Sequence, residues 1–524
     1  MRTVVLSGFM GTGKSTLGPA LAARLGVPFV DTDSELERAT GQPIRDLWRA
    51  EGEEAFRARE EALVERILSG SEPKVIAFGG GTVTIERARR LAIDRSLVVT
   101  LTAPADAILE RIPDRDARPK LGANDTAARV RELLKQRSEA YGECHLALST
   151  ATLDVDRSVE SVLALVARDP LLVPLGTRSY VIDICDGEQA RLTDAIARRA
   201  PSSLVLVTDS HVQRARGAAI DAALRPLALK VARVTLPPGE QHKTLATVAT
   251  IWEAALGAGA DRDALVLAVG GGVVGDLAGF AAACLLRGVS FLPVPTTLLS
   301  MVDASVGGKT GFDLPSGKNL VGAFHQPCAV VADLAHLETL PARDRAAGLA
   351  EVVKIALATD AALFALLERE AASLAAGDHA ALAPVVRAAV AAKIRVVCDD
   401  EREAGNRALL NLGHTVGHAL EVHGGYSRWL HGEAVALGLL AELEATVKLR
   451  GTPPALVARV AALLEALGLP TRIDRRELAA SWKHVALDKK RAGDGVRLPI
   501  VTGLGSAAVE RVTLTDLRSA VIEG

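Results

Sequence analysis

Aromatic residues are scarce here: Phe, Trp and Tyr make up 3% of 524 residues, too few for a surface that stacks single-stranded nucleic acid. The five cysteines (Cys144, Cys185, Cys284, Cys328 and Cys398) are odd in number, scattered, and never in a Cys-x-x-Cys pair. Neither a disulfide framework nor a thiolate zinc site follows from them, and a reducing compartment fits. An excess of charge is also missing, because the formal net charge is −2. No global field recruits nucleic acid or anionic membrane. No run reaches the roughly 18 apolar residues of a membrane span, and the N-terminal apolar stretch breaks at Ser7-Gly8, too early for a secretory core. These absences predict a soluble, cytoplasmic protein whose partners are small molecules.

What is present is an ordinary globular composition, 49% apolar and 24% charged, in a chain too long for one core. In the first ~165 residues, strand-like runs at 3–6, 28–30, 75–78, 97–101 and 153–155 alternate with helical stretches such as 54–69. That alternation implies a parallel sheet covered by helices. The pattern stops at Arg168-Asp169-Pro170, where a boundary is placed, and a new strand is read at 179–184. Further strands are expected at 204–208, 230–236, 264–269, 291–294 and 329–332. From about 337 to 481 the chain is rich in helix formers, and a β-like patch follows at 496–501.

Gly8-Phe9-Met10-Gly11-Thr12-Gly13-Lys14-Ser15 fits G-x-x-x-x-G-K-[ST], between a predicted strand and a predicted helix. In such a loop backbone N–H groups close around phosphate oxygens, Lys14 reaches the β/γ-phosphates, and the Ser15 hydroxyl ligates magnesium. Asp31-Thr32-Asp33 ends the second strand, where ligands of such sheets bind, and Gly79-Gly80-Gly81 ends the next. Arg57 lies on the helix between them; Arg118 and Arg137 follow in a loop and the next helix. Three arginines suit a small carboxylate plus the charge on a transferred phosphoryl group.

On these motifs, the whole of 1–168 resembles the shikimate kinases. The resemblance implies ATP and Mg2+ as cofactors, bound by Gly11, Gly13, Lys14, Ser15 and Thr16, with Ser15 and Asp31 on the metal. It implies that Asp33, Arg57, Gly80, Gly81 and Arg137 hold shikimate, that Asp33 assists removal of the hydroxyl proton, and that Arg118 closes over the phosphates. The lid Pro113-Asp114-Arg115-Asp116-Ala117 is unusually charged for that family. Gluconate-type kinases share the loop, but Asp-Thr-Asp with a triple glycine favours shikimate. A regulatory GTPase lacks support, since no Asn-Lys-x-Asp motif is present.

Farther along, Gly270-Gly271-Gly272-Val273-Val274-Gly275 follows a predicted strand and leads toward a helix expected at Asp276. Alone, this glycine loop leaves dinucleotide binding and a plain tight turn open. His414 and His418, four apart on a predicted helix, share a face, and His431 follows in His431-Gly432-Glu433. Neutral imidazoles with a carboxylate suit a catalytic zinc, and spacing alone nominates both His414 and His418 as ligands.

The runs Pro238-Gly239-Glu240, Pro295-Thr296-Thr297, Asp303 through Gly311, Gly317-Lys318-Asn319-Leu320 and Ala350-Glu351-Val352-Val353-Lys354 join these in one order. Over about 174–524 the chain thereby resembles the 3-dehydroquinate synthases. That resemblance moves the metal, Zn2+ or Co2+, to Glu351, His414 and His431, and makes His418 a substrate or phosphate contact. It implies NAD+ held by Asp209, Glu240, Lys243, Gly271, Gly272, Asp276, Thr296 and Thr297. Substrate falls to Arg287, Asp303, Lys309, Asn319, Lys354, Glu403, Arg407, Asn411 and one of Lys489 or Lys490. Of these Asp303, Lys309, Lys354 and Glu403, with His418, form the catalytic set. The implied reaction turns 3-deoxy-D-arabino-heptulosonate 7-phosphate into 3-dehydroquinate and phosphate, with no net turnover of NAD+.

The fold expected from both resemblances is α/β throughout: a P-loop kinase domain with a parallel sheet (1–168), a Rossmann-like α/β domain (174–335), and a mainly helical metal- and substrate-binding domain (336–524). Synthases of this type imply a homodimer through the second half. A polyol dehydrogenase or another sugar phosphate cyclase are the rivals for that half; Asp303, Lys309 and Lys354 argue against a dehydrogenase, which has no phosphate to bind. A binding module without catalysis is disfavoured because no motif position holds an inert residue.

Overall fold

The computed structural model describes residues 1–112, 126–403, 405–489 and 495–523, with backbone only at Thr126 and 486–489. The chain divides into two compact units, Met1–Asp183 and Ile184–Gly524. Among the described residues no helix is long and apolar enough to cross a membrane.

In the first unit five parallel strands, β1 (Thr3–Gly8), β2 (Phe29–Asp31), β3 (Val75–Ala77), β4 (Ser96–Thr102) and β5 (Leu146–Ser149), lie in the order β2-β3-β1-β4-β5. Val4, Val5 and Leu6 of the central strand are wholly buried, as expected for a parallel strand covered on both faces. Parallel strands end along one edge of the sheet. β1, β2 and β3 therefore deliver the Gly8 loop, Asp31 and the triple glycine to the same place. Gly8 is needed for the turn: its φ is +133°, and a Cβ there would lie 2.3 Å from the Leu101 carbonyl oxygen.

Two expectations are corrected here. No strand forms at 153–155; Asp154 accepts a hydrogen bond from the Arg157 N–H and caps the helix Val155–Arg168. The fifth strand is β5, in which only Leu148 is buried, so it shows too little apolar alternation to be read. Arg137 is not within a helix but at the joint between the helices Thr126–Gln136 and Ser138–Gly142.

An antiparallel pair, β6 (Leu171–Val173) and β7 (Tyr180–Cys185), follows. The first unit reaches Asp183, past the boundary placed at 168–174, because Leu172 and Val181 pack with Val64 and Ile76. Arg168 also makes a two-pronged ion pair with the buried Asp183 at 2.9 and 3.1 Å.

The second unit opens on a parallel sheet of β8 (Leu204–Asp209), β9 (Val231–Leu236), β10 (Leu265–Gly270) and β11 (Ser290–Pro295), ordered β11-β10-β8-β9. All six residues of β10 are buried. Its two faces are covered by separate cores, one around Ile251, Leu277 and Phe291, the other around Ile196, Leu265 and Leu292. The helix after β10 is Gly272–Cys284 and begins earlier than Asp276, since the Gly275 N–H already bonds the Gly271 carbonyl at 3.1 Å. A hairpin, β12 (Lys309–Leu314) and β13 (Gly317–Phe324), precedes β14 (Val330–Asp333). Its glycines and polar residues hid it from a hydrophobic pattern reading.

Helices then dominate up to Arg475–Lys489, before a closing hairpin of β15 (Gly495–Gly503) and β16 (Ser506–Thr513). The helices His414–His423 and His431–Arg450 cross with backbones almost touching. A Cβ on Gly438 would lie 2.1 Å from the Gly413 carbonyl oxygen and 2.6 Å from the Gly417 nitrogen. Buried Glu442, on the second helix, accepts the Gly413 and Val416 N–H groups at 2.8 and 3.0 Å and so caps the first helix. This crossing sets the spacing of His414 and His431. Gly438→Ala is expected to cost about 1–3 kcal/mol through overpacking, read as a lower urea midpoint for the second unit with the first unit's unfolding unchanged.

Candidate active sites

In the first unit a cavity of about 440 Å³ lies at the sheet edge, with Gly11, Gly13, Lys14, Ser15 and Thr16 on one side and Asp33, Arg57 and Arg137 on the other. Lys14 donates to the Gly8 and Phe9 carbonyls at 2.7 and 3.0 Å, folded over its own loop. The Ser15 hydroxyl is 3.3 Å from Asp31 Oδ2, a pair of hard oxygen donors suited to magnesium. Asp31 Oδ1 accepts the Asp33 and Ser34 N–H groups at 3.0 and 3.3 Å, which fixes the start of the helix Thr32–Thr40.

The triple glycine is explained by what crowds it. A Cβ on Gly79 would lie 2.6 Å from Asp33 Oδ1, and one on Gly81 2.3 Å from Arg57 Nη2. The Gly80 carbonyl accepts from Arg137 Nη1 at 2.8 Å and from the Tyr141 hydroxyl at 2.6 Å. Arg57 pairs with buried Glu60, which also accepts from the Thr82 hydroxyl at 2.6 Å, and its guanidinium sits 5.2 Å from the Trp48 ring centre. Glu60, Thr82, Trp48 and Tyr141 escaped the sequence reading; only Glu60 left a trace, one turn along the helix from Arg57. Arg118 and the charged segment 113–117 lie outside the described residues.

In the second unit a cavity of about 590 Å³ collects Asp303, Lys309, Asn319, Lys354, Glu403, Arg407, Asn411, His414, His418 and His431, and Asp276 borders it. A second cavity, of about 650 Å³, is lined by Asp209, Gly271, Gly272, Thr296 and Thr297. His431 borders both. Lys243 lies near the first, 2.7 Å from Asp276, 3.9 Å from Glu240, and donating to Asn319 Oδ1 at 2.6 Å. Burial opposes the charge on Lys243, but the carboxylates of Asp276 and Glu240 prevail and raise its pKa.

Glu351, one turn from Lys354 on the helix Ala342–Thr359, is the centre of the metal-like cluster. Its Oε1 is buried, has no hydrogen-bond partner among the described residues, and lies 3.7 Å from His414 Nε2 and 3.5 Å from His431 Nε2. One ligand atom from each of the three falls within 4.8 Å of the others. An unsatisfied buried carboxylate oxygen facing two imidazole nitrogens fits a divalent cation with mixed nitrogen and oxygen ligands. Burial works against charge on Glu351, but Lys354 and His414 hold it well below the usual carboxylate range. Burial and Lys354 keep His414 far below the usual imidazole range, the neutral form a metal takes. His418, nominated by spacing, does not join this group; its ring stands edge-on to His414 at 5.0 Å.

Cations gather on the other wall. Lys309 pairs with Glu403, which also accepts from Asn411 Nδ2 at 3.1 Å. Glu403 and Asn319 hold these positions at positive φ, 61° and 54°. Arg407 is buried, with its Nε unpartnered among the described residues. Lys393, absent from the sequence reading, lines the same cavity and donates to Asp303 Oδ1 at 2.5 Å. Burial pushes its pKa down while Asp303 opposes the shift. Its signal was a lysine on the buried, alanine- and valine-rich face of the helix His379–Asp399.

Arg287 stands apart from the other residues assigned to substrate. It precedes β11, at the end of the parallel sheet opposite the one from which the glycine loop and Thr296 emerge, and does not line the cavity of its own chain. The Lys489 side chain and Lys490 lie outside the described residues.

Fold and sites together define a small-molecule kinase followed by a cyclase- or lyase-type enzyme. Residues 10–167 match the shikimate kinase family, 233–347 the N-terminal and 348–491 the C-terminal part of 3-dehydroquinate synthase. The chain is a fusion of these two families, in that order.

Among solved structures, a 2-deoxy-scyllo-inosose synthase complexed with carbaglucose-6-phosphate, NAD+ and Co2+ is 26% identical, with a TM-score of 0.61 over 68% of this chain and 99% of that one. The 2-epi-5-epi-valiolone synthase of Streptomyces hygroscopicus subsp. jinggangensis, with NAD+ and Zn2+ bound, is 30% identical, with a TM-score of 0.59 over 66% and 96%. The shikimate kinase of Acinetobacter baumannii in complex with shikimate is 34% identical, with a TM-score of 0.31 over 32% of this chain and 94% of that one.

His336 lines the larger cavity and gives the second unit a pH dependence. Burial pushes its pKa down to about 4, with Asp333 pulling the other way. The unfolded chain takes up this proton near pH 6.5 and the folded chain does not, so stability present above about 6.5 is lost as pH falls toward 4. Between pH 7 and 5 the loss is expected to be about 2 kcal/mol. Urea unfolding at both pH values should show the wild type losing about 2 kcal/mol more than His336→Asn, since His414 acts alike in both.

Proposed function

We propose that the first unit transfers the terminal phosphoryl group of ATP to the 3-hydroxyl of shikimate. The supporting observation is the convergence of Lys14, Asp33, Arg57 and Arg137 on one cavity beside the triple glycine. Lys14 and the loop N–H groups hold the β/γ-phosphates, Ser15 and Asp31 hold Mg2+, and Arg57 and Arg137 hold the shikimate carboxylate. Asp33 accepts the hydroxyl proton, and Arg118 is assigned to the phosphates by family resemblance. Arg57→Ala should raise the KM for shikimate about 10–100-fold, the worth of a charged hydrogen bond, with little change in the KM for ATP. A coupled ADP assay reads both.

We further propose that the second unit cyclises 3-deoxy-D-arabino-heptulosonate 7-phosphate to 3-dehydroquinate with release of phosphate. This reading is carried by the Glu351, His414 and His431 cluster, set where the glycine-loop cavity meets the cation-lined one. Glu351, His414 and His431 would hold Zn2+ or Co2+, and Gly271, Gly272, Thr296, Thr297 and Asp209 would hold NAD+. When bound, the metal supplies Lewis-acid polarisation of a substrate hydroxyl and NAD+ a hydride acceptor that gives back what it takes.

The chain's own groups do the rest. Lys309, Lys354, Lys393 and Arg407, with Asn319 and Asn411, fit a substrate that carries a phosphate and a carboxylate. Asp303 accepts a hydrogen bond from Lys393 and would orient a hydroxyl; His418 and Glu403, which line the same cavity, would accept protons. The apolar Leu314, Leu320 and Phe324, exposed on the β12–β13 hairpin, support the homodimer proposed with this activity.

Purified chain should release phosphate from the heptulosonate phosphate with no net NADH, and Glu351→Gln should abolish this while leaving ADP formation from shikimate intact. Phosphate release only from a six-carbon or another seven-carbon sugar phosphate would make the second half a different cyclase. NADH accumulation with a polyol would make it a dehydrogenase.

A further inference from the structure

Glu421 has no part in the roles assigned above, yet it is buried against the metal cluster. It lies seven residues, two helical turns, beyond His414 and so shares its face. Its Oε2 is 3.1 Å from His431 Nδ1, while the other ring nitrogen, Nε2, faces the unpartnered Glu351 oxygen at 3.5 Å. Its Oε1 is 3.6 Å from Lys318 Nζ, and that ammonium also lies 3.4 Å from Glu240 and 4.0 Å from the Tyr426 ring centre. An imidazole presents a lone pair to a cation through one nitrogen only when the other keeps its proton. The acceptor facing that proton fixes tautomer, ring angle and basicity together. His414 has such an acceptor in the Leu412 carbonyl, 3.2 Å from its Nδ1.

We infer that Glu421 is the positioning residue of the metal cluster: it accepts the Nδ1 proton of His431 and aims Nε2 at the position shared with Glu351 and His414, and Lys318 balances its buried charge. This rests on the metal-binding reading of those three residues. A competing use exists, because His418, Glu421 and His431 also bring ligand atoms within 4.8 Å of one another. An ion bound there through His431 Nδ1 would displace the proton that Glu421 accepts, so the two uses exclude each other.

The test uses the full chain, stripped by a chelator and titrated with zinc against a chromophoric competitor, and with Co2+ followed by visible absorption. Wild type should bind a single equivalent. Glu421→Leu should bind zinc about 10–100-fold more weakly and shift the Co2+ spectrum. Glu421→Gln, which keeps an acceptor oxygen for Nδ1–H, should fall between them; it also serves should the leucine variant fail to fold. Metal-free unfolding midpoints, compared alongside, separate a lost orientation from a lost fold. Zinc affinity unchanged in both variants overturns the inference. Two equivalents in wild type, one of them absent from both variants, overturns it by making Glu421 a ligand. Wild type and Glu351→Gln titrating alike sinks the metal-binding reading itself.

Discussion

A cation taken out of water loses several kcal/mol of hydration, which only a close acid and good hydrogen bonds restore. Both halves of this chain work under that constraint, because both are built for anionic ligands held away from solvent. Arg57 leans on Glu60, Lys393 on Asp303, Lys354 on Glu351, and Lys243 on Asp276. In each pair an acid lies within ion-pair distance of the base, so neither charge is left without an opposite one. The acids lie on elements fixed by the core: long helices for Glu60 and Glu351, the helix after the glycine loop for Asp276. The geometry of binding is thereby inherited from the packing of the scaffold.

The same constraint explains which parts of the sites could be read from the sequence. Backbone-driven features were legible because their causes are local. The phosphate loop, the Asp-Thr-Asp turn, the triple glycine and the histidine pair each carry their own spacing. Glu60 and Lys354 lie one helical turn from Arg57 and Glu351, but other partners are remote. Lys393 meets Asp303 across ninety positions, and His431 meets Glu351 across eighty. The apolar face around Lys393 marks it as turned inward, but nothing near it says which acid it meets. Arg287 differs again: resemblance alone assigned it to substrate, and the direction of β11 puts it at the far end of the sheet of its own chain.

At the level of the fold, strands buried on both faces stood out as continuous apolar runs, as in β1 and β10. Those that were missed, β5, β6, the β12–β13 hairpin and β16, are short, edge-like or rich in glycine and polar residues. Their place is decided by what they pack against. Much of the substrate-facing chemistry of the second unit nevertheless hangs on that hairpin, with Lys309 at its start and Lys318 and Asn319 just after its turn. Recognising a site through its motifs therefore outran recognising the element that presents it.

Glu403 and Asn319 both hold side chains in the cation-lined cavity at a left-handed backbone angle. For a residue with a Cβ this conformation costs roughly 1–2 kcal/mol, less for asparagine and almost nothing for glycine. Judged by the backbone alone, glycine would occupy position 403 at less cost than glutamate. Glu403 instead meets Lys309 and Asn411 from this backbone angle, so the strain is tied to the ion pair of the cavity. Glycine there would relieve the backbone but leave Lys309 without its acid, so local strain and the charge balance of the cavity pull position 403 in opposite directions.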